Sequence, residues 1–215
     1  MFDQIPEKLD LAQLPTPIDF LEAPSERLGV HVFVKRDDLT GGITSGNKVR
    51  KLEYSLAVAK EQGADVIISC GATQTNHGRA LAALCRDEGL ECHLFLLGDD
   101  SDKNAGNHLL IRVLGTKIDY IDLEQYSDRE NLMNQAIQDW HKKGKIAFTI
   151  PTGASDGLGT LGYVFAVNEI VEQAEDNSLE FHHLVCAVGS GGTFAGLCVG
   201  TTMFKQNWRV HGVTV

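Results

Sequence analysis

The sequence predicts an α/β fold built from doubly wound, open parallel sheets. Apolar runs of strand length alternate with segments of helical periodicity along most of the 215 residues. At least six of these runs have the length and aliphatic content of buried strands. Because the connections are short, the alternation indicates parallel sheets with helices on both faces.

The elements follow one another in a regular order. Four of the five prolines lie in the first thirty residues, where we expect an irregular lead-in. Strands are predicted at 31–35, 66–70, 92–97, 117–121, 146–150, 183–188 and 210–215. Helices are predicted at 76–88, 104–114, 128–142, 159–174 and 193–204, besides one that begins near residue 48. The last strand runs to the final residue, so we expect the C-terminal part of the fold to be lacking.

Composition and charge exclude several classes of function. The length allows one large or two small domains. A formal charge of −10 and a pI near 5.2 argue against nucleic-acid and anionic-membrane partners. No apolar run approaches about 18 residues, so no transmembrane helix is expected. The N-terminal residues lack the basic and apolar regions of a secretory signal. We therefore expect a cytoplasmic protein.

The cysteines predict free thiols. Their number is odd, their spacings are wide and no C-x-x-C pair occurs. The five are Cys70, Cys85, Cys92, Cys186 and Cys198. Buried thiols in a reducing compartment are the expected state. No metal site is expected, because no His/Cys cluster has ligand spacing.

The stretch from Gly41 to Lys51 is the most informative segment. A glycine-rich turn leads into a helix whose apolar stripe is Val49, Leu52, Leu56 and Ala59. Lys48 and Lys51 share a face at the start of this helix. The helix dipole disfavours a cation there by up to about 1 kcal/mol, but it favours an anion and a neutral amine. Two solvated lysines are the plain interpretation, and an anionic cofactor that needs a neutral lysine is the alternative.

Two further glycine- and hydroxyl-rich loops lie between a strand and a helix. The loop 71–77 offers hydroxyl groups and free helix N–H groups that suit a carboxylate. The loop 189–193 has three glycines in four positions, which lets the backbone surround a phosphate. A fourth loop, 151–157, also follows a strand and would line the site or act as a hinge. In parallel sheets such loops meet at the carboxyl ends of the strands.

Each loop alone also fits a plainer interpretation. Thr75 can be only an N-cap, Asn76 and His77 can be surface residues, and loops 151–157 and 189–193 can be only tight turns. The dinucleotide fingerprint fails because Phe194 stands where its third glycine is needed, and the P-loop fails because Lys48 comes one position late. Together, however, the loops offer a phosphate site, a carboxylate site and an amine. Pyridoxal phosphate with an amino acid requires all three.

Four strings of residues carry a family resemblance. They are Lys35-Arg36-Asp37-Asp38, the run from Ser45 to Tyr54, the run from Gly71 to His77, and the run from Gly189 to Thr193. In this order they resemble the D-cysteine desulfhydrase and 1-aminocyclopropane-1-carboxylate deaminase family. The resemblance covers essentially the whole chain. It implies the tryptophan-synthase-beta-like fold (fold type II), with pyridoxal 5′-phosphate as cofactor.

The resemblance also implies roles for individual residues. Lys48 matches the catalytic lysine that is linked covalently to the cofactor, and Lys51 matches a lysine that contacts its phosphate. Asn76 matches the residue that hydrogen-bonds the cofactor's ring hydroxyl. The phosphate cradle would be Ser190, Gly191, Gly192 and Thr193. Thr75, Asn76 and His77 lie where the family binds substrate, and Thr75 stands where deaminases carry a catalytic serine.

The implied activity is a lyase reaction. D-cysteine, or a related β-substituted amino acid, would give pyruvate, ammonia and hydrogen sulfide. The alternative is deamination of 1-aminocyclopropane-1-carboxylate to 2-oxobutanoate and ammonia, and a phosphate-ligand binding module without catalysis is a third possibility. The family further implies a homodimer, with a larger domain from residues 1–50 and 160–215 and a smaller one from 51–159.

Overall fold

The computed structural model describes residues 5–101 and 103–215. Residues 1–4, which begin the segment considered for a secretory signal, lie outside that part. The strands are β1 (Ile18–Phe20), β2 (Phe33–Lys35), β3 (Val66–Ala72), β4 (Glu91–Leu97), β5 (Lys117–Ile121), β6 (Ala147–Thr149), β7 (His183–Val188) and β8 (Arg209–Thr214). The helices are α1 (Glu22–Leu28), α2 (Val49–Glu61), α3 (Asn76–Asp87), α4 (Gly106–Val113), α5 (Leu123–Ser127), α6 (Arg129–Lys142), α7 (Gly157–Asp176) and α8 (Gly192–Met203). Every predicted strand and helix is present.

The largest sheet among the described residues is parallel and has four strands in the order β5-β4-β3-β6. Its central strand, β3, sends alternate side chains to opposite faces. Ile67 packs into a core with α2, α3 and α4, whereas Ile68 packs into a second core with α6. Helices therefore cover both faces of this sheet, which confirms the doubly wound prediction.

A second parallel sheet consists of β7 and β8, which are joined through α8. One face packs against α7 and α8 through Leu184, Cys186 and Val210. The opposite face is open, since Val185 is 69% and Val213 is 55% exposed. The helices thus lie on one side of this pair, and the carboxyl end of β7 leads directly into the loop 189–193.

The irregular lead-in predicted for the first thirty residues is wrong in part. Strand β1 pairs with β2 in antiparallel register, so one of the three sheets in the described part of the chain is not parallel. Between the two strands lies α1, in which Pro24 occupies the first turn. A proline there gives up no intrahelical hydrogen bond, so it does not interrupt the helix. The short helix α5, capped by Asp122 and Gln125, was also not predicted.

Helix α7 contacts both α2 and α8 through glycines. A Cβ atom on Gly162 of α7 would lie 2.1 Å from the backbone oxygen of Arg50 in α2. A Cβ atom on Gly200 of α8 would lie 2.6 Å from the oxygen of Val164 in α7. Only glycine permits such an approach, and it brings the start of α2 beside α7.

A cluster of charged side chains fixes the first turn of α2. The guanidinium of Arg50 is 2.8 Å from a carboxylate oxygen of Asp37 and 2.8 Å from one of Glu169 in α7. Lys35 also pairs with Glu169, and the Tyr163 hydroxyl donates to Asp37. The cluster joins β2, α2 and α7 immediately next to Lys51.

All five cysteines are free thiols, as predicted. Three of them, Cys70, Cys85 and Cys92, are buried, and the other two are partly buried. Burial raises the pKa of Cys70 and of Cys186. These thiols are therefore held in the protonated, less reactive form.

Candidate active site

Lys48 and Lys51 lie at the start of α2, at the end of a loop that we call the lysine loop (residues 41–48). The Lys48 side chain is half-buried, and its amine donates a hydrogen bond of 2.9 Å to the Asn47 side chain. Lys51 is 1% exposed, and its amine donates to the Ser155 hydroxyl at 2.8 Å. Among the described residues neither amine forms an ion pair. The interpretation as two solvated lysines is therefore wrong.

The surroundings of both amines favour their neutral forms. Burial lowers the pKa of Lys48 below its ordinary value. Burial, together with the charge of Lys48, lowers the pKa of Lys51 to about 8, against the opposing charge of Asp156. With a pKa of about 8, the Lys51 amine is still mostly protonated at pH 7, so it can pair with an anionic ligand, and such a ligand would offset the repulsion between the two amines.

The loop 189–193 forms a cradle next to Lys51. A Cβ atom on Gly192 would lie 2.5 Å from the Lys51 amine nitrogen and 2.7 Å from the Ser155 hydroxyl. Gly191 has a φ of 88°, which glycine adopts without strain, and helix α8 starts at the next residue. The free N–H groups of that helix face the loop. Thr193 accepts a hydrogen bond of 3.2 Å from the Asn47 amide.

Ser155 belongs to the same cradle, although the sequence did not single it out. Its hydroxyl is 2.7 Å from that of Ser190 and accepts from Lys51. The loop 151–157 thus lines the site, which was one of its two predicted roles. Gly153, at φ 69°, lets the loop pass close by, since a Cβ atom there would lie 2.6 Å from the Ser190 hydroxyl and 3.6 Å from Cε of Lys48. The composition of the loop indicated that it was a candidate for the site, but it did not indicate that the Ser155 hydroxyl would contact Lys51.

The loop 71–77 leads into α3 at the carboxyl end of β3. The Thr75 hydroxyl accepts from the Gly78 N–H at 3.2 Å, so Thr75 is the N-cap of α3. Asn76 is exposed, and its side-chain oxygen accepts from the Asn107 amide at 2.9 Å. The first N–H groups of the helix, at Asn76 and His77, have no intrahelical acceptor and remain available to an anion.

His77 points inward instead of toward solvent, and it is only 2% exposed. Its Nε2 atom lies 2.9 Å from the Ser69 hydroxyl, which itself donates to the Ile150 carbonyl at 2.6 Å. The Ser69 oxygen therefore accepts, and His77 Nε2 carries the proton. Burial, with the charges of Lys48 and Lys51, lowers the pKa of His77 to about 3. The ring is therefore neutral, and the positive charges of both lysines disfavour its protonation.

One part of the predicted arrangement differs from the structure. The lysine loop does not follow a parallel strand, since β2 belongs to the antiparallel ribbon and a short 3-10 turn, Asp37–Leu39, comes between. The cluster around Arg50 brings α2 to the site instead. The other three loops follow β3, β6 and β7, as expected for parallel strands.

The donors present fit the phosphate and the aldehyde of pyridoxal phosphate. Hydroxyl groups, helix N–H groups and an ammonium surround a space that a single Cβ atom would fill, and a second amine stands beside it. Within residues 5–101 and 103–215, no group of three His, Cys, Asp or Glu side chains has metal-binding geometry.

Comparison with known proteins gives a consistent result. The family model described as pyridoxal-phosphate dependent enzyme matches residues 9–215. A putative 1-aminocyclopropane-1-carboxylate deaminase of Thermotoga maritima is 42% identical over 97% of this chain and 66% of its own length. A D-cysteine desulfhydrase of Klebsiella pneumoniae is 37% identical over 97% of this chain and 64% of its own. The chain thus spans less than two thirds of either relative.

Solved structures agree on the fold. A homologue of 1-aminocyclopropane-1-carboxylate deaminase superposes with a TM-score of 0.91 at 36% identity, covering all of this chain and 66% of the other. A fungal L-serine ammonia-lyase from Rhizomucor miehei superposes with a TM-score of 0.75 at 19% identity, covering 95% of this chain and 60% of the other, which shows a shared fold alone. None of the helices in the described part combines the length and apolar character that crossing a bilayer demands.

Proposed function

Because this chain belongs to the family of pyridoxal-phosphate-dependent enzymes, we propose that it carries the catalytic lysine of an amino-acid lyase. The proposed reaction converts D-cysteine and water to pyruvate, ammonia and hydrogen sulfide. One observation carries the proposal: Lys48 holds a partly buried amine that has no carboxylate partner among the described residues, across Gly153 from the hydroxyl groups of the phosphate cradle.

Lys48 would have two tasks. Its amine would bind the cofactor's aldehyde, and once the substrate amine replaced it, the free amine would take the proton from the substrate's Cα atom. The lowered pKa of Lys48, caused by burial, increases the neutral fraction that both tasks need. The cofactor, when bound, supplies an electron sink for the negative charge left at Cα.

The other residues would hold the reactants. Lys51, Ser155 and the residues Ser190, Gly191, Gly192 and Thr193 would bind the phosphate. Asn76 would meet the cofactor's ring hydroxyl. Thr75 would bind the substrate carboxylate with its hydroxyl, and His77 would do so with its backbone N–H, because its ring is turned toward Ser69. The helix N-terminus adds the favourable end of its dipole.

Deamination of 1-aminocyclopropane-1-carboxylate is the alternative, and the relatives support it equally. A mitochondrial protein of Arabidopsis thaliana, 41% identical over 95% of this chain and 53% of its own length, is described as a bifunctional D-cysteine desulfhydrase/1-aminocyclopropane-1-carboxylate deaminase. Both reactions need the same amine, phosphate cradle and carboxylate site. The step that begins bond cleavage separates them: D-cysteine would lose its Cα proton before β-elimination, whereas the cyclopropane amino acid has no hydrogen on Cα and its ring would have to open by a different step.

An assay of both substrates tests the proposal. The protein, loaded with pyridoxal phosphate, is given D-cysteine and the cyclopropane amino acid in parallel, and sulfide, pyruvate and 2-oxobutanoate are measured. Sulfide with equimolar pyruvate supports the desulfhydrase, and 2-oxobutanoate supports the deaminase. Saturable cofactor binding with none of these products in either assay would instead favour the non-catalytic phosphate-ligand module.

We further propose a cytoplasmic homodimer of two-domain subunits. The four-stranded sheet lies wholly within residues 51–159, and the other two sheets lie wholly outside that range, which supports the division into a smaller domain (51–159) and a larger one (1–50 and 160–215). The resemblance to the family supports the dimer. Size-exclusion chromatography with light scattering tests it, and a monomer mass at micromolar concentration would contradict it.

A further inference from the structure

The side chain of Arg79 joins helix α3 to the lysine loop. Its Nη2 atom donates to the Ser45 carbonyl at 2.7 Å, and its Nη1 atom donates to the carbonyl of Ile43. Arg79 is only 8% exposed. In the described part of the chain it has no carboxylate partner, so the guanidinium is directed at the lysine loop.

Burying a guanidinium without a carboxylate partner costs free energy, so its presence here calls for a structural explanation. Burial lowers the pKa of Arg79, which reflects the loss of hydration. The planar guanidinium of an arginine donates to two carbonyl oxygens from two different nitrogen atoms in one fixed geometry, whereas a lysine donates from a single nitrogen. The two oxygens belong to Ile43 and Ser45, which are separated by a single residue. The guanidinium thus binds the backbone of the loop and not one of its side chains.

The loop is also fastened on its other side. The Thr40 hydroxyl accepts from the Gly46 N–H at 2.9 Å and lies 3.0 Å from the Gly46 carbonyl oxygen. Gly46 has a φ of 108°, and a Cβ atom on it would lie 3.8 Å from Nη2 of Arg79. Lys48 follows two residues later. Thr40 and Arg79 therefore hold the backbone on the N-terminal side of Lys48, and the hydrogen bonds of α2 hold its carbonyl group.

We propose that Arg79 is a positioning residue, which fixes the lysine loop and the Lys48 amine against the N-terminal end of α3. Arg79 lies on the same first turn of α3 that follows Thr75 and carries Asn76 and His77. One side chain thus sets the distance between the covalent attachment point and the carboxylate site. This role rests on the function proposed above, and it adds a residue that touches neither cofactor nor substrate.

Two measurements on the Arg79→Met variant test the proposal. Hydrogen exchange of the cofactor-free protein reports the loop, and we expect the amides of residues 42–48 to exchange at least about tenfold faster. Reaction with pyridoxal phosphate, reduction with borohydride and peptide mapping report the amine. We expect Lys48 to be modified at least about tenfold more slowly relative to Lys142, a 75% exposed lysine in the same sample.

Two further variants serve as controls. Arg86→Met changes an exposed arginine of the same helix, whose guanidinium donates to the Leu114 carbonyl, and it should leave both measurements unchanged. Arg79→Lys keeps the charge and one hydrogen bond, so it should restore part of the protection and part of the Lys48 reactivity. If Arg79→Met does not fold, Arg79→Lys carries the test, with intermediate values expected.

The outcomes separate this proposal from the function on which it rests. If the loop amides of folded Arg79→Met exchanged at the wild-type rate, the positioning role would be overturned. The same result in Arg79→Lys would overturn it if Arg79→Met did not fold. Faster exchange with unchanged Lys48 reactivity would overturn it as well. If the wild-type protein showed no preference for Lys48, the proposed function would fail instead, while the exchange data would still report the grip on the loop.

Discussion

At the scale of single residues, the site depends on a few closely packed polar groups and on the glycine beside them. Lys51, Ser155 and Ser190 form a chain of short polar contacts, and Gly192 leaves room beside them for a phosphate. The sequence identified the glycines and the lysines because their types are unusual at a helix start. It did not identify Ser155, because a serine in a turn can have many roles. Its contacts with Lys51 and Ser190 arise only because loops 151–157 and 189–193 lie close together in the fold.

Replacing Gly192 tests the cradle. In Gly192→Ala the new methyl group would lie 2.5 Å from the Lys51 amine nitrogen and 3.0 Å from Cα of Ser155. Steric overlap of this kind costs about 1–3 kcal/mol, so we expect pyridoxal phosphate to bind about 10 to 100 times more weakly in a fluorescence titration. In Gly189→Ala the new methyl group meets no atom of the described residues within 4 Å. An equal loss in both variants would contradict the cradle.

At the scale of elements, the alternation of strands and helices was predictable and the contacts between helices were not. The apolar stripe from Val49 to Ala59 predicted the buried face of α2, and all of its residues are fully buried. By contrast, Pro24 obscured the short helix α1, and β1 pairs with β2 across that helix, between residues 13 to 17 positions apart. Periodicity reports local structure, whereas antiparallel pairing and glycine contacts depend on the tertiary arrangement.

The contact between α2 and α7 provides a direct test at this scale. In Gly162→Ala the new Cβ atom would lie 2.1 Å from the Arg50 carbonyl oxygen, and backbone atoms cannot rotate away. We expect a loss of about 3 kcal/mol in the free energy of unfolding, measured by urea denaturation. Gly157→Ala, on the same helix, meets no atom of the described residues within 4 Å and should change stability by less than about 1 kcal/mol. Equal stability of the two variants would show that the helices are not in close contact.

At the scale of the whole molecule, a buried charge cluster ties the N-terminal segment to the site. Glu169 of α7 pairs with both Arg50 and Lys35. Burial opposes its ionisation, but the hydrogen bonds from Arg50 and Lys35 outweigh burial and lower the pKa of Glu169 to about 2 from 4.5. Because the folded state holds the carboxylate charged, its contribution to stability is full above pH 4.5. That contribution is lost as the pH falls from 4.5 toward about 2.

The variant Glu169→Gln should reveal this dependence. Removing the Glu169 charge leaves Lys35 without an ion-pair partner among the described residues and leaves Arg50 with Asp37 alone, so we expect a loss of about 3–5 kcal/mol in the free energy of unfolding at pH 7. The difference between wild type and variant should shrink as the pH is lowered from 4.5 toward about 2. Glu175→Gln, at an exposed position of the same helix, should have little effect at any pH. A difference between wild type and Glu169→Gln that does not vary with pH would contradict the predicted titration.

The central claim is that Lys48 is the residue to which pyridoxal phosphate becomes attached. The most direct measurement is borohydride reduction of the protein loaded with pyridoxal phosphate, followed by mass-spectrometric mapping of the modified peptide. The proposal predicts a modification at Lys48 that is stoichiometric in the wild type and absent from Lys48→Ala, which should also lose the visible absorbance of the bound cofactor. Modification of Lys51 or of exposed lysines, with Lys48 left free, would contradict the claim.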